Sequence, residues 1–249
     1  MSRYLTWVFL LVAACGLFSC QHAPRPGYTE QPHVVKKRQE LAHQLLELLP
    51  PAQRSKAAVE EATWLADTAY KASAAIARYN DPVFVNWLNN QAVNTRHNYR
   101  HRGLCWHYQH DLYRELRRRR LQYFELGCCL RDQGRGAEHH VVYIKSKAGS
   151  WPSIVMLDAW WSAGRLRVDD ESKTDGWMDS PATTRVLNTI YPAGHNRPIE
   201  HWSMVRTGTK YRDYIYSDLP AARSTTQWKY MQEQIKKGLK ERQGKAYAY

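Results

Sequence analysis

Cys105, His139 and Asp158 have the types and the order needed to make a thiol nucleophilic. Only the thiolate attacks, and a free thiol, with a pKa near ~8.5, is mostly protonated at neutral pH. Cys105 stands where a polar run over 94–103 gives way to an amphipathic stretch, with Cys105, Tyr108, Leu112 and Leu116 at three-four spacing and Arg114, Arg117 and Arg118 on the other side. This places the cysteine in the first turn of a helix, on its inward face. Backbone N–H groups and the positive end of the dipole at that turn favour a thiolate, and the same amides could stabilise an oxyanion. A nearby imidazole can complete a thiolate–imidazolium pair. Asp158 has the acceptor chemistry to hold that imidazole in one tautomer. His139 and His140 are adjacent, and adjacent strand residues face opposite sides, so either could be the base.

The elements that must position these groups are legible in outline. Leu41, Leu45, Leu48 and Leu49 mark an amphipathic helix over 34–49, ended by Pro50-Pro51. A second, Ala- and Glu-rich helix is expected over 56–78, with Val59, Ala62, Leu65, Ala66, Ala69 and Ile76 as its apolar stripe. Asp81-Pro82 reads as the cap and first residue of a third helix over 83–93. Strands are expected over 122–130, 139–145 and 153–160, the last two joined by a hairpin-like Lys147-Ala148-Gly149-Ser150. Further on come a short strand over 166–168, an acidic loop over 169–179, a helical turn over 183–190 and a basic helix over 221–242. Helices first and an antiparallel sheet after them give an α+β fold: N-terminal helices and a cysteine-bearing helix packed on an antiparallel sheet.

The chain begins with Ser2-Arg3-Tyr4, an apolar run over 5–18 and Leu17-Phe18-Ser19-Cys20. That run is shorter than the roughly 20 residues of a bilayer span and reads as a targeting segment. Leu17 and Ser19 ahead of Cys20 resemble the lipobox of bacterial lipoproteins, which implies acylation of Cys20 and a place in the cell envelope, anchored to a membrane and facing the periplasm or exterior. An ordinary secretory signal or an uncleaved anchor is the alternative. The organisation expected is a signal peptide over 1–20, a Pro-, Gln- and His-rich tether over 21–32, and one α+β domain over 33–249 with its core at 94–205.

With Cys15 removed and Cys20 acylated, Cys105, Cys128 and Cys129 remain, an odd number for an oxidising compartment. A disulfide framework is not expected, although a bridge from Cys105 to one of the others would argue against catalysis. Buried small hydrophobes are the plainer reading of Cys128-Cys129. A net charge of +13 favours anionic envelope surfaces as partners, and nucleic acid is the least fitting for an exported chain. The run Arg117-Arg118-Arg119-Arg120 is expected as a solvated face. His97 with His101 and His107 with His110 have helical spacing, but they lack a second ligand set, so they are read as solvent-facing and no metal is expected. Trp151, Trp160, Trp161, Trp177 and Trp202 could line a sugar or peptide groove, with aromatic core and rim packing the plainer role. Gly134-Arg135-Gly136 lacks the context of a phosphate loop, and no cofactor is expected.

Gly103-Leu104-Cys105-Trp106, Glu138-His139 and Leu157-Asp158-Ala159-Trp160 resemble the three core motifs of the transglutaminase-like superfamily, whose fold is related to papain-like cysteine peptidases. The resemblance covers about sixty residues. It implies Cys105 as nucleophile, His139 as general base and acid, Asp158 as orienting carboxylate, and a peptide or protein substrate. The family commonly places one residue and then a hydrophobic one after its histidine, which fits His139-His140-Val141 and leaves His140 as the alternative base. Val141 stands where the family often has an aromatic residue. An oxyanion-side group upstream of the cysteine is also implied, with Asn98 or Tyr99 the candidates by position.

Overall fold

The structure is a computed structural model, and it describes residues 23–80, 105–133, 138–170, 173 and 175–196. The signal peptide with Cys20, the expected helices over 83–93 and 221–242, the pair His97 and His101, Trp202, the glycines of 134–136, and Asn98 and Tyr99 lie outside the described residues.

Helices α1 (Pro32–Glu47) and α2 (Lys56–Asn80) come first, then α3 (Cys105–Leu116). Strands β1 (Phe124–Arg131), β2 (His139–Ser146), β3 (Val155–Asp158), β4 (Arg167–Asp170) and β5 (Trp177–Asp179) follow, and α4 (Pro181–Ile190) closes the described fold. The strands form a five-stranded sheet in the order β4-β3-β2-β1-β5, with every pairing antiparallel. The protein is therefore α+β.

Alternation along the strands divides the sheet into two faces. Phe124, Leu126, Cys128, Val142, Ile144, Val155 and Leu157 look toward the helices and join Leu41, Leu45, Leu65, Tyr108 and Leu112 in the main core. Cys129, Val141, Tyr143 and Met156 occupy the other face in a small cluster with Ile154, flanked by Trp151 and Trp177. Gly127 is required on that second face. Its cross-strand partner is Tyr143, whose ring would stand 2.0 Å from a Cβ there.

Helix α2 ties to the sheet through a buried carboxylate. Glu61 accepts the N–H groups of Gln122, Tyr123 and Phe124 at 2.7, 2.9 and 3.1 Å, satisfying the backbone where β1 begins. The loop after β3 is pinned to the same helix. Gly164, at φ +88°, lets its carbonyl accept from Ser73 Oγ at 3.0 Å, and a Cβ there would meet Ala77.

Several expectations are corrected. The described part of the segment read as a tether is docked: residues 28–30 form a 3₁₀ turn, the Pro24 carbonyl accepts from Arg78 and Arg165 lies over Tyr28. Val59 is exposed, and Ala58 and Glu61 take its place on the inward side of α2. The acidic loop over 169–179 begins as the last residues of β4 and ends as β5, which pairs with β1 through Arg131↔Trp177. Helix α3 has no solvated basic face at Arg114, which is 1% exposed and paired with Asp111 and Glu115. His107 and His110 are buried as well, because α3 is covered on several sides: it packs against α2 and β2, touches α4, and sets the His110 ring edge-to-face with Tyr191. Of the arginine run, Arg119 and Arg120 are exposed, while Arg117 donates to the Tyr191 carbonyl and Arg118 pairs with Glu115.

Candidate active site

Cys105 opens α3, as the periodicity requires, and is only 4% exposed. Its Sγ lies 3.8 Å from the Glu138 carbonyl, just ahead of β2, so the thiol reaches the end of that strand rather than its middle. One turn further along α3, Gln109 fixes the helix on the sheet. Its Nε2 donates to the carbonyls of Cys129 at 3.3 Å and Val141 at 2.7 Å. Nothing at the sequence level singled out Gln109, although an amide four residues after the cysteine on an apolar stripe is a usable signal.

His139 is the first residue of β2 and is buried. Its Nε2 is 2.7 Å from Asp158 Oδ2, a charge-assisted distance. The second carboxylate oxygen is also used: Asp158 Oδ1 accepts the N–H groups of Trp160 at 2.9 Å and Trp161 at 3.0 Å. Asp158 is thus both the cap of the turn after β3 and the partner of the imidazole. Burial disfavours its charge but is outweighed by His139 and the two N–H groups, which hold the carboxyl below its ordinary value of 3.8.

Burial also opposes a charge on His139, and the Asp158 carboxylate overcomes it, first by its charge and then by its hydrogen bond. The neighbouring Cys105 thiol adds to the effect, and the imidazole is pushed up to about 9. His139 Nδ1 is buried with no conventional hydrogen bond of its own, so the Cys105 side of the ring is not claimed by a protein oxygen. Trp160, Trp161 and Trp177 surround the ring at 5.0, 5.8 and 5.7 Å between centroids.

His140 is equally buried and makes a different pair, its Nε2 2.8 Å from Glu138 Oε1. The structure therefore brings together Cys105, His139 and Asp158, and places His140 against Glu138. Cys105, Cys128 and Cys129 form no disulfide, and burial pushes the Cys129 thiol well above its ordinary value, which keeps it protonated.

A cleft of about 110 Å³ opens over the His139–Asp158 pair, lined among others by Arg131, His139, Asp158, Trp161, Arg167 and Trp177, with Cys105 outside its lining. A larger one, about 890 Å³, shares Arg167 with it and lies between the docked N-terminal segment, α1 and the loop after β3, with Arg25, His33, Lys37 and Arg165 in its lining. Among the described residues, no group of three or more His, Cys, Asp or Glu side chains is arranged to hold a metal ion, and no helix is long and apolar enough to cross a membrane. Compared with known proteins, the chain matches no family model, no curated protein and no solved structure.

Proposed function

We propose that this chain is an exported bacterial lipoprotein, acylated at Cys20, whose transglutaminase-like core cleaves or transfers amide bonds of a peptide or protein through a thioacyl intermediate. The observation that carries the reading is the His139–Asp158 pair at 2.7 Å with the Cys105 thiol beside the same ring, at the first turn of α3. In this scheme His139 draws the proton from Cys105, and the sulfur attacks the carbonyl carbon. A tetrahedral oxyanion forms against the backbone amides at the start of α3. The C–N bond then breaks as the imidazolium gives its proton to the departing amine, leaving a thioester. Water, deprotonated by His139, attacks that thioester and restores the thiol; an amine in place of water gives transfer. Asp158 holds the ring throughout and balances its positive charge. The indoles of Trp160, Trp161 and Trp177 around the ring strengthen that electrostatic balance.

A peptide vinyl sulfone, with its adducts mapped by mass spectrometry, tests the reading. One adduct per chain is expected at Cys105, with none in Cys105→Ala. Absence of an adduct, or one distributed over Cys128 and Cys129, overturns it.

The larger cleft favours a second reading, an envelope lipoprotein that binds an anionic polymer or a protein partner without catalysis, because Arg25, Lys37, Arg165 and Arg167 all line it. Saturable binding of an acidic polysaccharide that survives Cys105→Ala and fails in Lys37→Glu, with no vinyl sulfone adduct, would support this reading over the first.

A further inference from the structure

We propose that Arg131 makes the cleft over His139 a carboxylate-reading subsite, so that the amide substrates of this site carry a free carboxylate close to the scissile bond. This inference rests on the amide-bond reading of Cys105 and adds to it the chemical class of substrate.

Arg131 ends β1, with His139 as its direct partner on β2 and Trp177 as its direct partner on β5. Directly paired residues on antiparallel strands share a face, so imidazole, guanidinium and indole stand in one row across three strands. All three line the same cleft, about 110 Å³ in volume. That space admits a small polar group together with a few carbons, on the scale of ~30 Å³ for one water.

Among the described residues no carboxylate pairs with the guanidinium. Its Cζ lies 5.1 Å from the Trp177 ring centroid and 5.8 Å from that of Trp161, so two indoles flank it. Its Nε is buried and has no hydrogen-bond partner among the described residues. The other described charges of the cleft are largely engaged. Asp169 takes Arg167 at 2.8 Å and Lys173 at 3.1 Å, Asp158 takes His139, and Asp175 is exposed at the rim. A guanidinium that lines the cleft, flanked by two indoles, matches a carboxylate, which accepts two parallel hydrogen bonds from arginine. The net charge of +13 draws acidic molecules toward the protein in the same sense.

Two measurements test the subsite, and the first does not use the thiol. In Cys105→Ala protein, ligand-observed NMR should show N-acetylglycine binding at least about tenfold tighter than N-acetylglycinamide, which has no free carboxylate, with the difference lost when Arg131→Gln is added. Arg131→Lys keeps the charge without the fork and should retain part of the preference, which guards against a Gln variant that does not fold. In the protein with its thiol, the ratio of Cys105 alkylation rates by iodoacetate and iodoacetamide should fall about tenfold or more on Arg131→Gln. Equal binding of the acid and the amide, or a preference indifferent to both substitutions at Arg131, overturns the proposal. A Cys105 that takes no vinyl sulfone while acid binding still depends on Arg131 sinks the amide-bond reading and leaves the carboxylate site standing.

Discussion

The two faces of the sheet carry the same chemical pair with different surroundings. On the open face His139 meets Asp158 at 2.7 Å, and one residue along the strand, on the helix-covered face, His140 meets Glu138 at 2.8 Å. Burial and distance do not separate the two pairs. What differs is the remainder of each neighbourhood. Asp158 also caps two backbone N–H groups, the His139 ring has the Cys105 thiol beside it, and a cleft reaches that ring from outside. An imidazole–carboxylate pair is thus a common structural device, and access together with a neighbouring nucleophile is what makes one of the two a candidate for chemistry.

The comparison can be broken by removing one carboxylate at a time. Asp158→Ala leaves a buried imidazole without its counter-charge and two N–H groups without their cap, and it should lower stability by about 3–5 kcal/mol in urea unfolding. Glu138→Ala removes the Glu138–His140 ion pair and should lower it by about 1–3 kcal/mol. Equal losses would mean that the cap at Trp160 and Trp161 contributes nothing. On the covered face the largest polar tie is Glu61, and Glu61→Ala strands three N–H groups at the start of β1. The expected loss is about 2–4 kcal/mol in the same assay, with a smaller change in Cys105 labelling than Asp158→Ala gives.

A gentler test is the pH dependence of stability. His139 is raised from 6.5 to about 9 in the folded protein, so its contribution is complete below pH 6.5 and is lost as pH rises through 9. Asp158 is lowered from 3.8, so its contribution is complete above that pH and is lost as pH falls through the folded value. Denaturation midpoints should therefore decline from pH 6.5 to 9 in the wild type, and the decline should flatten in His139→Ala. An unchanged slope in that variant would assign the effect to other groups.

Much of this architecture is legible from residue order alone. Cys105 reads as helix-opening because a polar run precedes a three-four apolar spacing, and β1, β2 and β3 read as strands because their apolar runs are bounded by turn residues. The hidden parts depend on partners distant in sequence. Arg114, His107 and His110 look like a solvent face until α3 is seen packed against α2, β2 and the segment holding Tyr191. β5 is three residues of an acidic stretch and becomes a strand only because the edge of β1 offers it hydrogen bonds. The segment after Cys20 is proline-rich, and partners more than fifty residues away, Arg78 at the Pro24 carbonyl and Arg165 over the Tyr28 ring, make its described part a docked element. Arg131 looks like the last residue of a strand until the register places it between His139 and Trp177.

The rate of Cys105 alkylation by iodoacetamide, followed by mass spectrometry in the wild type, His139→Ala and His140→Ala, tests the central claim most directly. The account predicts that His139→Ala slows labelling by about 100-fold or more and that His140→Ala leaves it within about threefold of wild type. Equal rates in the two variants, or a larger loss in His140→Ala, would contradict it.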